Sequence, residues 1–543
     1  MRGLMQDWPL LVSKIIEHGA LNHHDTEIVT LTVEGGRHCY TMGDCHRRSK
    51  KTAEALIDFG IGLGDRVATL AWNTHRHVEL WYGISGMGAV AHTVNPRLFA
   101  DQITYIMNHA EDRILCLDLT FVPMIEEIAG RLETIEAYVI LTDEAHMPET
   151  TLENVICYET FIEAQPGTYN WPKLDENTAA GLCYTSGTTG NPKGVLYSHR
   201  SNYLHTMGAS CVDTIGAASG DVIMPVVPMF HANAWGIPYT SFAVGAKLVL
   251  NGPYFDAETL SRVMIEEGVT QSAAVPTVWL GLLDYLKKTG IRLDKLEKVV
   301  IGGAAAPKTM IEAFEKEHNV TVVHAWGMTE TSPLGTVGTM TAKTSKWPWE
   351  DQLNLKAKQG RAILGVEMKI IDDDGNELDR DGVKFGHLMV RGPWVSSHYF
   401  KDEGGDILDA DGWFDTGDVA TMDENGYMQI TDRSKDVIKS GGEWISSIEL
   451  ENAAVDHESV AEAAVIGISH PKWNERPLLI VVLNEGYELD PDALRAFLSG
   501  KVAKWWLPDE IVTIDEIPHT AAGKIRKTEL RETFADFEFP AES

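Results

Sequence analysis

Residues Tyr184 to Gly194 read YTSGTTGNPKG. Glycines at 187, 190 and 194 let a backbone approach a ligand closely. Thr185, Ser186, Thr188 and Thr189 supply hydroxyls, and Lys193 supplies a cation. A segment of this make-up can wrap a polyphosphate, turning N–H and O–H groups toward its oxygens. It is not a Walker A loop, because the lysine does not directly follow the second glycine of that frame. A polar hairpin turn is the plainer alternative.

Further residues carry possible chemistry. In WGMTE, Trp326 offers a flat face to a base, Thr329 a hydroxyl to a phosphate, and Glu330 a hard anionic ligand suited to Mg²⁺. In WFDTGD, Asp418 is a carboxylate that can accept two hydrogen bonds from a diol, or simply a turn aspartate. Arg433 by itself is an exposed arginine, and Lys524 in AAGKIRK reads as part of a solvated basic tail. His231 in PMFHANAW is a core or surface histidine unless a site claims it, and Trp235 is core or pocket lining. GISGMGAVA (83–91) nearly matches a dinucleotide fingerprint but lies late in a helical pattern, so close helix packing is the better reading. His23-His24-Asp25 is too isolated for a metal site.

The elements that must position these residues follow a rhythm. RVATLAW, RILCLD, AYVILTD, KLVLN, SAAV and KVVIGG read as buried strands, each near a helical pattern such as HVELWYGISGMGAV or ETLSRVMIEEG. This predicts α/β units with largely parallel sheets. Near 360 the pattern changes to strands joined by Asp-Gly turns, an antiparallel β subdomain. TAKTSKWPWEDQL (341–353) reads as a long surface loop. After about 434 a small α+β unit is expected, giving a large N-terminal domain over 1–433 and a small C-terminal domain over 434–543.

Composition narrows the function. The chain has 543 residues, with Lys+Arg 46 against Asp+Glu 79 and a net charge of −33. Such a surface repels nucleic-acid backbones and anionic membranes, while small anionic ligands stay possible where cations gather locally. Six cysteines form no CxxC pair, so neither a disulfide framework nor a structural zinc site is expected, and Cys45 beside His46 reads as a buried thiol. No stretch has the roughly 18 uninterrupted apolar residues of a membrane span. A soluble, cytoplasmic protein is expected.

Taken in order, the motifs resemble those of the AMP-forming adenylate-forming superfamily, over about residues 30 to 530. YTSGTTGNPKG resembles its phosphate loop. GGAAAP (302–307) resembles its adenine-side turn, WGMTE its aromatic-Gly-x-Thr-Glu motif, and WFDTGD the motif ending in a ribose-binding aspartate. DRSKDVIKSGGEWIS (432–446) resembles its hinge and glycine loop, and PHTAAGKIRK (518–527) its C-terminal motif with the adenylation lysine. The resemblance implies that ATP or AMP is held by the 185–190 loop, Lys193, Gly303, Ala304, Ala305, Trp326, Gly327, Met328, Thr329, Asp418, Arg433 and Lys524, with Mg²⁺ on Glu330. His231, Trp235, Gly302, Ala306 and Gly327 would line an acyl pocket, with His231 positioning the carboxylate. Lys193, His231, Glu330 and Lys524 are the implied catalytic set and Lys435 the hinge. Lys439, Gly441, Gly442, Glu443 and Lys504 would face CoA. The pattern usually has glycine before Arg433; here Asp432 is expected to put a negative charge beside the nucleotide.

Within the superfamily, peptide-synthetase adenylation domains hold an aspartate near the position of Phe230; this chain has His231 next, which disfavours an amino-acid substrate. Acetate-specific members carry a second tryptophan after the first in the WGMTE region; Gly327 there implies a deeper pocket, which Trp235 shortens again. The fuller pattern resembles the fatty-acyl branch. It implies an ATP-dependent CoA ligase for short- to medium-chain acids, a thioether acid such as 3-methylmercaptopropionate among them, and a homodimer. The alternatives are an aryl-CoA ligase and, outside enzymes, a nucleotide-binding regulator; Lys193, Glu330 and Lys524 together argue against the last.

Overall fold

The computed structural model describes residue 1 and residues 3–185, 191–440, 443–519 and 525–539, without the side chains of Glu443 and Trp444. Among these residues four sheets form, of seven, nine, four and five strands. The seven-stranded sheet is parallel from Val155–Cys157 through Asp112–Leu117, Arg66–Leu70 and Val90–Thr93 to Ala179–Tyr184. Only its last pair, Ala179–Tyr184 with Gly194–Ser198, is antiparallel. The nine-stranded sheet has a parallel centre, Glu27–Leu31, Lys247–Leu250, Val222–Pro225, Gln271–Ala274, Lys298–Ile301 and Thr321–Gly327. The expected parallel α/β rhythm is therefore found, with antiparallel strands at the edges.

Helix His75–Met87 is buried at every residue, as a helix enclosed on all sides must be. Its glycines permit the closeness. A Cβ at Gly83 would lie 2.9 Å from the Ser49 carbonyl oxygen, and one at Gly86 2.5 Å from the Trp171 ring. The near-fingerprint GISGMG is thus a packing device. Residues 341–353 differ from the expected loop: Thr344–Lys346 is a 3-10 turn, and Trp349–Lys356 is a helix with Pro348 at its N-cap and Glu350 and Asp351 in its first turn. Acidic residues beside the positive helix start stabilise that turn, and Lys356 anchors the far end on Glu315 at 2.6 Å. All six cysteines are free thiols, and Cys45 is buried. Among the described residues no helix is long and apolar enough to cross a membrane.

The antiparallel four-stranded sheet, Glu367–Ile371, Gly386–Arg391, Phe414–Met422 and Met428–Arg433, leads into a smaller C-terminal domain. Residues 434–437, with Lys435 among them, pass from strand Met428–Arg433 to strand Ile438–Ser440 of the five-stranded sheet. Asp432 is buried and lies beside Arg433 among the residues that line a cleft. One carboxylate oxygen accepts the Ser447 N–H at 2.7 Å, at the start of helix Ser447–Val455. Nearby Lys527 pairs with Glu451 at 2.7 Å and donates to the Ser447 hydroxyl. The cause is local: an aspartate satisfies the open N–H groups of a helix start better than water-filled space would. Burial pushes Asp432 up, and Glu451 up to about 7. Burial works against the Lys527 charge, but the two carboxylates outweigh it and hold the ammonium above its ordinary range.

Strand Thr321–Gly327 pairs with Leu334–Val337 through a bulge between Trp326 and Gly327. A Cβ at Gly327 would lie 2.0 Å from the Pro333 carbonyl oxygen. The position therefore gives backbone, not side chain, to the cleft it lines.

Two tests follow from this packing. Gly327→Ala is expected to destabilise the chain by about 1–3 kcal/mol, the usual cost of overpacking, seen as a lower Tm. An unchanged Tm would mean that the turn has room. Lys527→Met should cost about 3–5 kcal/mol by stranding buried carboxylates. Glu451 titrates at an ordinary 4.5 unfolded and about 7 folded, so the folded state binds its proton more tightly and stability falls as pH rises between those values. The Lys527→Met loss is therefore larger at pH 8 than at pH 5.5; urea midpoints that fall equally at both would exclude a buried charge cluster.

Candidate functional site

A cleft of about 1650 Å³ runs along the ends of the parallel strands. Thr185 and Lys193 line it and close the stem of the predicted phosphate loop. The Thr185 N–H donates to the Lys193 carbonyl at 2.9 Å, and the Lys193 N–H to the Thr185 hydroxyl at 3.2 Å. Ser186, Gly187, Thr188, Thr189 and Gly190 lie outside the described residues. At the stem, Tyr184 meets His109 at 2.7 Å between its hydroxyl and Nδ1.

Lys193, Tyr399 and Glu330 form a row. The Lys193 ammonium lies 4.8 Å from the centre of the Tyr399 ring, and Gly404 leaves it space: a Cβ there would stand 2.9 Å from Nζ. The Tyr399 hydroxyl donates to Glu330 Oε1 at 2.7 Å. Burial and then the Glu330 charge push that hydroxyl well up, so it stays a donor. Glu330 is buried in the cleft wall, and the Tyr197 hydroxyl fixes the preceding carbonyl, Thr329, at 2.7 Å. No short motif marks Tyr399, since it sits in a loop more than sixty residues after WGMTE. Arg97 also lines the cleft, with its guanidinium over the rings of Phe230 and Phe255, and no spacing in the sequence pairs it with them.

The opposite wall carries the other predicted motifs. Gly302 to Ala306 follow strand Lys298–Ile301 and line the cleft, and Gly303 has φ +82°, a conformation that favours glycine. Trp326, Gly327, Met328 and Thr329 continue the wall from the next strand. Asp418 and Arg433 face each other across paired strands. The Arg433 Nε lies 2.8 Å from Asp418 Oδ1, and the Trp326 indole N–H donates to Asp418 Oδ2 at 2.9 Å. Trp326 packs on Gly335, where a Cβ would stand 2.4 Å from its ring.

His231 and Trp235 share the third wall. The turn between them is not right-handed. Ala232, Asn233, Ala234 and Trp235 have φ of 41°, 53°, 47° and 55°, and Gly236 has 74°. Each such L-residue costs roughly 1–2 kcal/mol, so the surroundings must hold the turn. Asn233 Oδ1 accepts from the Cys183 thiol at 3.2 Å, and Gly236 stands against the His205 ring, 2.8 Å from where a Cβ would be. Burial lowers His205 to about 4, and its neutral Nε2 accepts the Leu334 N–H at 3.3 Å. The turn sets the Trp235 ring against Gly302, where a Cβ would lie 3.1 Å from it.

Lys435 lines the cleft at the passage to the small domain. Lys439 and Lys504 are not among its walls. Glu443 pairs with Ser440 through the backbone. Gly441, Gly442 and Lys524 lie outside the described residues. Among the described residues no group of three or more His, Cys, Asp or Glu is placed to hold a metal.

The comparisons agree with this geometry. Residues 16–400 match the model of the AMP-binding enzyme family, and residues 449–524 that of the AMP-binding enzyme C-terminal domain. The chain is 49% identical, over 99% of each sequence, to a 3-methylmercaptopropionyl-CoA ligase of Ruegeria lacuscaerulensis. It is 47% identical to a medium-chain-fatty-acid–CoA ligase of Ectopseudomonas oleovorans, covering 99% of this chain and 98% of the relative. In fold it is similar to an anthranilate CoA ligase crystallised with anthranoyl-AMP, with TM-score 0.85 and 24% identity over 97% of this chain and 99% of the other. With both family models matched in order and relatives aligned end to end, the chain belongs to the AMP-binding enzyme family, among its adenylate-forming acyl-CoA ligases.

Proposed function

We propose that this chain activates a short- to medium-chain carboxylic acid, 3-methylmercaptopropionate among its substrates, in two steps. The carboxylate oxygen attacks the α-phosphorus of ATP, giving acyl-AMP and releasing pyrophosphate. The CoA thiolate then attacks the acyl carbonyl, and AMP leaves with the bonding pair on its phosphate oxygen. The observation that carries this reading is the convergence on one cleft of the Lys193–Tyr399–Glu330 row, the Asp418–Arg433 pair and the His231–Trp235 wall. The relatives named as 3-methylmercaptopropionyl-CoA and medium-chain-fatty-acid–CoA ligases support the choice of acid.

The residues divide by role. Lys193 and the loop it closes take the phosphates, and Lys524 adds charge at the α-phosphate during adenylation. Asp418 and Arg433 hold the ribose, with the backbone of Gly303 to Ala305 and the ring of Trp326 around the base. His231 orients the carboxylate. Trp235, standing on Gly302, closes the acyl pocket with Ala306 and Gly327 beside it, which suits short and medium chains. A thioether acid and valerate are nearly isosteric, so the pocket takes both. A single buried carboxylate, Glu330, fits an ion that takes one or two protein oxygens and the rest from phosphate and water. Mg²⁺ held there would neutralise phosphate charge. Residues 1–433 and 434–543 act as two domains that turn about Lys435, bringing Gly441, Gly442, Glu443, Lys439 and Lys504 toward CoA for the second step. The active form is a cytoplasmic homodimer.

Pyrophosphate release against a panel of acids, with and without CoA, tests this reading. Release and thioester formation should peak at about four- to six-atom chains and 3-methylmercaptopropionate, and Trp235→Ala should move the peak to longer acids, with a loss of about 1–3 kcal/mol for short ones. A peak at benzoate or cinnamate would favour an aryl-CoA ligase, and no release with any acid would remove the enzyme reading. Glu330→Gln keeps shape and loses charge. Adenylation should fall about 10²-fold, with partial recovery at high Mg²⁺; wild-type rates at low Mg²⁺ would take Glu330 out of the metal site.

A further inference from the structure

Asn73 is fully buried, between strand Arg66–Leu70 of the seven-stranded sheet and helix His75–Met87. It is not among the cleft walls, yet its side chain is committed to the segment that leads to His231. Its Nδ2 donates to the Pro225 carbonyl at 2.9 Å and the Val227 carbonyl at 3.1 Å, with Asn251 Oδ1 at 3.2 Å. Its Oδ1 accepts the Met229 N–H at 2.7 Å. Its main-chain carbonyl accepts the Gly252 N–H at 3.0 Å.

Residues 225, 227 and 229 thus turn alternate polar groups to one amide. On the other side, the N–H groups of Val226 and Val227 both reach the Ala273 carbonyl, at 3.0 and 2.9 Å. Val226, Val227, Met229 and Phe230 are buried, so no water replaces a partner that is lost. The required pattern is two donors and one acceptor on a short planar group. Aspartate has the shape but no donors, and serine reaches too little. The next residue after Phe230 is His231, and the strained turn carrying Trp235 follows directly.

We propose that Asn73 is a positioning residue for the acyl side of the reaction. Acting through Pro225–Phe230, it ties the seven-stranded sheet to the nine-stranded sheet and fixes where His231 and the Trp235 turn enter the cleft. It does not line the cleft. The proposal rests on the reading of His231 and Trp235 as acyl-side residues.

The test is Asn73→Asp, with initial rates measured against varied acid at saturating ATP and varied ATP at saturating acid. The KM for the acid should rise about tenfold or more and the chain-length order should change, while the KM for ATP stays within about twofold. A folding role alone would lower the Tm and the active fraction without moving this ratio. A folded Asn73→Asp with wild-type acid KM and chain-length order overturns the proposal, as does an equal rise in both KM values. If Asn73→Asp does not fold, Asn73→Ser carries the same two outcomes, and failing that Asn251→Ala, which removes the neighbour on which the amide rests. His231→Ala and Trp235→Ala are measured in parallel. If they leave acid KM and chain-length order unchanged while Asn73→Asp changes them, the acyl-side reading fails; if they change them and Asn73→Asp does not, only the Asn73 proposal fails.

Discussion

The Asp418 carboxylate is the interaction on which the cleft depends. Nearly closed off from solvent, it receives the Trp326 N–H on one oxygen and the Arg433 guanidinium on the other. Those partners come from different sheets: Trp326 ends a strand of the nine-stranded sheet, and Arg433 ends the last strand of the four-stranded sheet. A carboxylate so buried is tolerable only if its acceptor sites are filled by strong donors. The Trp326 bond thereby ties the nine-stranded sheet to the four-stranded sheet at the cleft.

The same logic recurs on a larger scale across the passage through Lys435. Asp432, one residue before Arg433, takes different partners, at the start of helix Ser447–Val455 and near Lys527. Successive residues of a strand face opposite sides, so a single strand end serves both the cleft and the small domain. The contact between this strand end and the small domain is therefore held by charge as well as by packing.

Strain is concentrated in the turn that brings Trp235 to the cleft wall. The left-handed residues 232–236 are held by Asn233, bonded to Cys183, and by the His205 ring packed on Gly236. The neutral His205 suits that place, because a charged imidazole could not accept the Leu334 N–H. The Tyr399 hydroxyl does similar service for Glu330 by staying protonated beside a carboxylate.

Much of this was legible in the chain before any coordinates. Alternating short β-branched strands and helical patterns foretold parallel sheets, because apolar periodicity is a local property of sequence. Described residues of the motifs at 184–194, 302–307, 326–330, 413–418 and 432–446 came together along the cleft, since glycines, hydroxyls and carboxylates suited to ligands cluster in short runs. What the local pattern could not state was direction. It did not tell that Asp432 takes the Ser447 N–H while Asp418 pairs with Arg433, that a side chain at Gly327 would strike Pro333, or that 349–356 is a helix. Nor did it single out Tyr399, Arg97 or Asn73, which reach their partners only through folding. Composition and spacing determined which chemistry was available. Which groups meet was decided by tertiary packing, because a side chain's partner depends on the path of elements far away in sequence and on the need to satisfy every buried polar atom.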